Sequence, residues 1–195
     1  MDICDVIQRQ HDEQRTEFAI LEQWPRDDHE GLAAIWRRLA ILLETHALAE
    51  EKHFYPQLLA LGTGGADAGG VDDEVEDAIG DHNSIRDAVS RAEKASVGSK
   101  EWWTAVVDAN VANSRHMGEE ERQDLADFRQ QASLELRHEL AIKMLRDMAL
   151  SAAEGIEPTN RDPEIYVETE KDGSLGADDA NAELPDTSLR ASETE

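Results

Sequence analysis

Along most of the chain, apolar residues return every third or fourth position, the period of a helix buried on one side. Nowhere do β-branched residues alternate over a strand length, so the pattern predicts an all-α fold. Over about Asp2 to Trp24, Ile7, His11, Gln14, Phe18 and Leu21 step by four, three, four and three, which makes one buried stripe. Trp24-Pro25-Arg26-Asp27-Asp28 interrupts it and offers an aspartate N-cap. Beyond that break, Leu32, Ile35, Leu39, Leu42, His46, Glu50 and His53 share a second stripe. Pro56 and the glycine-rich stretch Gly62 to Gly70 end that helix. Asp73 with Glu76 reads as the capping box of a third helix, whose inner side carries Val75, Ile79, His82, Ile85 or Arg86, and Val89. Ser99 caps the fourth, where Trp102, Val106, Ala109, Asn113, His116 and Glu120 repeat the spacing. Leu125 to Ala153 reads as further helix that packs across the others or covers them. The expected architecture is a left-handed up-down-up-down four-helix bundle with a C-terminal helical extension, over residues 1–155.

The apolar period stops at about Glu157. From there to the C-terminus, 12 acidic residues face 3 basic ones, a contribution of −9, which predicts a mostly disordered acidic tail over residues 156–195. Within it, the short apolar piece Ile165-Tyr166-Val167 is the part able to dock. The whole chain of 195 residues carries 44 Asp+Glu against 19 Lys+Arg, a net charge of −25. Such a surface repels phosphate backbones and anionic lipid, so neither nucleic acid nor membrane is an expected partner. Charges interrupt every hydrophobic stretch well short of the roughly 18 residues a membrane span needs. Cys4 is the single cysteine, which excludes an internal disulfide and a thiolate metal cluster. The opening Met-Asp-Ile-Cys-Asp lacks the basic and apolar regions of a signal peptide, and a cytoplasmic protein is expected.

The chemistry lies in the histidines. His11, His46, His82 and His116 take one core-facing position on each of the four helices, at separations of 35, 36 and 34 residues. In an up-down bundle, residues about one helix and one loop apart return to the same level and meet at the axis. Four imidazoles buried in one layer require partners for their ring nitrogens, and a transition metal supplies them directly. Glu50 follows His46 by four and Glu120 follows His116 by four, each pair on one helix face and able to chelate. Four imidazoles and two carboxylates without thiolate suit iron or manganese better than structural zinc, and carboxylates entering from opposite helices can bridge two ions. Glu50 with His53 and Glu135 with His138 also match the Glu-x-x-His element of ferritin-like di-iron proteins. That rival set needs two further glutamates and leaves the evenly spaced histidines unexplained.

Local words support the first set: Thr-His-Ala-Leu-Ala-Glu-Glu-Lys-His-Phe-Tyr-Pro around His46, Asp-His-Asn-Ser-Ile-Arg around His82, and Arg-His-Met-Gly-Glu-Glu-Glu around His116. Over about residues 2–150 the chain thus resembles the hemerythrin-like family, also called the HHE cation-binding domain. The resemblance implies two non-haem iron ions with an oxo or hydroxo bridge, Glu50 and Glu120 bridging the metals. It gives His11 and His46 to one iron, and His82 and His116 to the other. Oxygen-carrying hemerythrins bring a second histidine one turn from the first on the third helix, where this chain has Ala78 and Arg86. That leaves one open position on each metal, suited to dioxygen or peroxide as oxidase- or catalase-like chemistry. The other reading is a non-catalytic module that binds or senses oxygen, nitric oxide or iron. His53, Glu51, Arg86, Asn113 and Gln14 are the expected outer groups, with Arg86 placed to steer an anion or to sit in an ion pair. Asn113 and Gln14 would bond the ligand imidazoles or each other. His29 and His138 are expected to face solvent.

Overall fold

In a computed structural model of the chain, residues 1–64 and 69–174 are described, and among them eight helices and no strand occur. They are α1 (Ile3–Gln23), α2 (His29–His53), α3 (Tyr55–Leu61), α4 (Val71–Lys94), α5 (Lys100–Arg122), α6 (Asp124–Gln131), α7 (Leu134–Glu154) and α8 (Pro163–Ser174). Side-chain caps set several starts. Asp2 accepts from the Cys4 amide, Asp28 from Gly31, Ser99 from Trp102 and Ser133 from Leu136, each holding an amide that has no partner inside its helix. The start of α4 differs from the expected Asp73–Glu76 capping box. The helix begins two residues before Asp73, behind Gly70 at φ 151, with no side-chain cap. Asp72, Asp73 and Glu74 fill its first turn, where carboxylates complement the positive end of the helix. The second helix also ends earlier than Pro56: the chain turns at Phe54, and Pro56 lies in the first turn of α3, where its missing N–H costs nothing.

Four long helices close a ring, since α1 packs on α2 and α5 while α4 packs on α5 and α2. The expected stripes face inward almost residue for residue: Ile7, His11, Gln14, Phe18 and Leu21 are buried on α1, and the whole Trp102-to-Glu120 series is buried on α5. On α2 the buried apolar face is rotated slightly, so that Trp36 and Leu43 are covered and Ile35 and Leu42 lie at its edge. On α4 both Ile85 and Arg86 are buried. The predicted helix after Leu125 is two helices with a break at Ala132, and α7 packs against α2 and α1.

The core is divided. One apolar cluster includes Ile3, Ile7, Ala49, Phe54, Leu58, Val75, Ile79, Leu125 and Phe128. The other includes Phe18, Leu21, Leu39, Leu43, Ile85, Trp102, Val106 and Ala109. His11 lies between Ile7 and Phe18, His46 between Leu43 and Ala49, His82 between Ile79 and Ile85, and His116 between Ala109 and Leu125. A buried polar layer therefore crosses the ring with hydrocarbon above and below.

The expectation of a disordered tail from residue 156 does not hold for its first part. Residues 163–174 form α8, which packs on α4 and α3 and buries Tyr166 and Val167 in the first core cluster. Burying those two side chains offsets the ordering of a short, highly charged helix, which the acidic composition alone could not. Residues 175–195 lie outside the described residues.

Candidate metal centre

Each of the six expected ligands is at most 2% exposed, and they converge from α1, α2, α4 and α5. The ring centroids of His11 and His46 are 5.0 Å apart, those of His82 and His116 4.6 Å, and those of His11 and His116 6.2 Å. Glu50 comes within 2.9 Å of His46 Nε2 through Oε1 and 3.4 Å of His82 Nε2 through Oε2. Glu120 Oε2 lies 3.1 Å from His11 Nε2 and 4.0 Å from His116 Nε2. Each carboxylate thus stands between one imidazole of each close pair. Two overlapping groups, His11–His46–His116–Glu120 and Glu50–His82–His116, have donor atoms close enough together to hold a metal ion.

The hydrogen bonds distinguish the two nitrogens of each ring. Nδ1 of His11 bonds Glu121 at 2.9 Å, Nδ1 of His46 bonds Gln10 Oε1 at 2.7 Å, and Nδ1 of His82 bonds Glu51 at 2.9 Å. All three partners are acceptors, so Nδ1 carries a proton, and Nε2, which faces the layer, is the nitrogen left to take a metal or, without one, a second proton. In the layer, His11 Nε2, His46 Nε2, both Glu50 oxygens and Glu120 Oε2 are buried without a hydrogen bond. Lone pairs of nitrogen and carboxylate oxygen aimed at a shared space repel unless a cation stands between them. Outward-bonded imidazoles with inward lone pairs are the arrangement in which metal-ligating histidines are held. The residues present fit a transition metal.

The electrostatics without metal show what burial of this layer entails. Burial acts to lower His11, but Glu120 and Glu121 overcome it and raise the ring to about 9. His82 is likewise raised to about 9, its burial outweighed by Glu50 and Glu51. Burial and the neighbouring His82 push His116 well below the usual histidine range, so it is neutral. For Glu50, burial works upward but His46 and His82 hold it well below an ordinary carboxylate, whereas burial and the charge of Glu50 raise Glu120. Metal-free, the layer holds protons where the metal would place positive charge.

The outer groups divide. Glu51 serves His82 and also accepts from Arg86 Nη2 at 2.8 Å, while Arg86 Nε donates to Glu44 at 3.0 Å. Arg86 is thus committed to a buried ion-pair network, one side chain removed from the ligands. Asn113 and Gln14 bond each other, at 3.0 Å, rather than the imidazoles. The expectation that His53 serves the site is not met: its ring bonds Asp147 on α7 at 3.0 Å, because the end of α2 faces α7 there. His29 and His138 are exposed, and Glu135 is exposed on α7, so the ferritin-like set is not assembled. Sequence reasoning missed Gln10 and Glu121, polar neighbours of His11 and Glu120 that look like surface residues until the helices pack. Tyr55 is fully buried, and its hydroxyl donates to Glu120 Oε1 at 3.3 Å.

A cavity of about 510 Å³ reaches His116 and Glu120 between the N-terminal part of α4 and the α5–α6 junction. Eight of its lining residues are carboxylic acids, among them Asp73, Glu74, Asp77, Asp81 and Asp124, against Arg122 as the lining cation among the described residues. Burial and the charges of Glu120 and Glu74 raise Asp124 well above the ordinary aspartate range.

A family model described as the hemerythrin HHE cation-binding domain matches residues 2–126. No curated protein and no solved structure matches the chain.

Proposed function

Because the chain belongs to the hemerythrin HHE cation-binding family, we propose that its polar layer holds two non-haem iron ions and reacts with dioxygen or peroxide. The observation that carries this reading is the set of buried, inward-facing nitrogens and carboxylate oxygens with no hydrogen bond. In this reading the four helices run up-down-up-down, His11 and His46 serve one ion, His82 and His116 the other, and Glu50 and Glu120 bridge. The short His46–Glu50 and His11–Glu120 distances, with the longer reach of each carboxylate to the opposite pair, support that division.

Bound iron would supply Lewis acidity and one-electron redox chemistry to a small ligand at positions the protein leaves free. The chain's own residues set the conditions. Gln10, Glu51 and Glu121 hold three imidazoles in the tautomer that presents Nε2. His116, neutral in its pocket, presents a lone pair without first losing a proton. Tyr55 keeps a hydroxyl proton against Glu120, with burial and that carboxylate raising its pKa well above the ordinary phenol. The acidic cavity admits cations and neutral molecules and repels anions, which favours dioxygen and hydrogen peroxide over superoxide or nitrite as ligands.

Metal analysis of iron-loaded protein, an optical spectrum under air, and oxygen evolution on adding peroxide test the reading. About two irons per chain with near-ultraviolet absorption and turnover of peroxide are expected. Well under one iron per chain would sink the metal assignment. A reversible, oxygen-dependent spectral change with no turnover of any peroxide would instead establish the binding or sensing module.

A further inference from the structure

Residues 127–174 lie beyond the family match, yet part of that segment reaches the layer of candidate ligands. The Glu51 side chain is fully buried, and its carboxylate receives donors from three directions. Oε1 accepts from His82 Nδ1 at 2.9 Å and Arg86 Nη2 at 2.8 Å, and Oε2 accepts from Arg161 Nε at 2.5 Å. The Tyr166 hydroxyl donates to the Glu51 backbone carbonyl at 2.5 Å. Arg161 is itself fixed by its backbone: its amide donates to Asn83 Oδ1 at 2.9 Å, and its carbonyl accepts from Asn83 Nδ2 at 2.6 Å. The segment therefore grips the residues that follow Glu50 and His82, one on each of two helices.

We propose that Arg161 and Tyr166 form a C-terminal strap that positions Glu51 and, through it, His82, so that Arg161 sets how tightly the metal centre holds its ions and their redox balance. The inference rests on the metal reading above. A carboxylate shared between two guanidinium groups is a weaker acceptor for the His82 N–H than one shared with a single guanidinium. Without Arg161, Glu51 turns more of its charge toward His82, the imidazole becomes a more basic ligand, and the oxidised metal is favoured. Glu51 also loses one of its anchors. Arg86 stays in place to keep the carboxylate paired, and the Arg161 side chain is 44% exposed, so its replacement is compatible with folding.

The test uses the full chain and its Arg161→Gln, Tyr166→Phe and Lys171→Gln variants, loaded with iron(II) without air. Lys171 pairs with Asp72 on α4 at 2.6 Å, so its replacement loosens α8 without removing a donor from Glu51. Iron content, release of iron to a strong chelator and the midpoint potential are measured. Arg161→Gln is expected to reach the parent's iron content, to release iron about tenfold faster and to show a lower potential. Tyr166→Phe is expected to release iron faster at an unchanged potential, and Lys171→Gln to match the parent in both. The strap is overturned if Arg161→Gln behaves as the parent, or if Lys171→Gln moves both quantities as far. Iron in the parent with no change in Arg161→Gln removes the strap alone, whereas a parent that binds no iron removes the metal reading as well.

Discussion

At the scale of single residues, the ligand and its outer partner make different demands. His46→Ala or Glu120→Ala removes a donor from a layer in which each carboxylate faces both imidazole pairs. Metal analysis is expected to show the loss of most bound iron, while His29→Ala, exposed at the start of α2, should retain it. A His29 variant as damaging as His46→Ala would break the assignment. Glu121→Gln and Gln10→Leu leave every donor in place but release an imidazole from its outward bond. Competition with a chelator should then reveal affinity weakened by about 10–100-fold rather than abolished. These outer partners illustrate where sequence reading ends. His11 and Glu120 stand out because they fall on an apolar stripe, where a polar residue requires a reason. Gln10 and Glu121 sit one position away, on faces where polar residues are ordinary, and acquire their role only once a neighbouring helix delivers an imidazole.

At the scale of elements, each of four helices carries one histidine between apolar residues that belong to two different core clusters. That arrangement was legible because a helix face repeats along one chain segment, so position within a stripe predicts depth in the bundle. The piece Ile165-Tyr166-Val167 was legible as the part able to dock, but the helix α8 and its seat were not, since they depend on Tyr166 and Val167 meeting a surface made by α3 and α4. The polar layer also predicts how metal-free and loaded protein differ with pH. Folding raises His11 and His82 to about 9 from the ordinary 6.5. Their contribution to stability is complete below about pH 6.5 and is lost as pH rises through 9. Lowered His116 and His53 act with the opposite sign, but below 6.5, outside this window. Metal-free protein should therefore melt lower at pH 9 than at pH 6.5, by on the order of 5 °C, each kilocalorie corresponding to about 2–4 °C at this size. Iron bound in the layer would compete with those protons for the same nitrogens, so affinity for iron should rise over the same interval. Thermal scans of both forms check the sign; a metal-free melting temperature that climbs from pH 6.5 to 9 would contradict the layer's protonation.

At the scale of the whole molecule, a net charge of −25 surrounds a site reached through an acid-lined cavity. The two act together, because a cleft with low-dielectric walls focuses the field of the surrounding charge toward its interior. In the proposed reading iron(II) would be drawn inward by that field, while dioxygen and hydrogen peroxide, being neutral, would be indifferent to it. Salt screens the attraction over about 10 Å at 0.1 M and about 3 Å at 1 M. Stopped-flow measurement of iron(II) uptake by metal-free protein should accordingly slow by about tenfold or more from low to molar salt, whereas reaction of the loaded protein with peroxide should change little. Asp73→Asn with Asp77→Asn, two lining carboxylates outside the expected ligand set, should slow uptake at low salt and leave the final iron content unaltered. Equal salt sensitivity of iron uptake and peroxide reaction would mean that the ions enter elsewhere. The acidic surplus, which composition alone reads as solubility, would then have no part in loading the site.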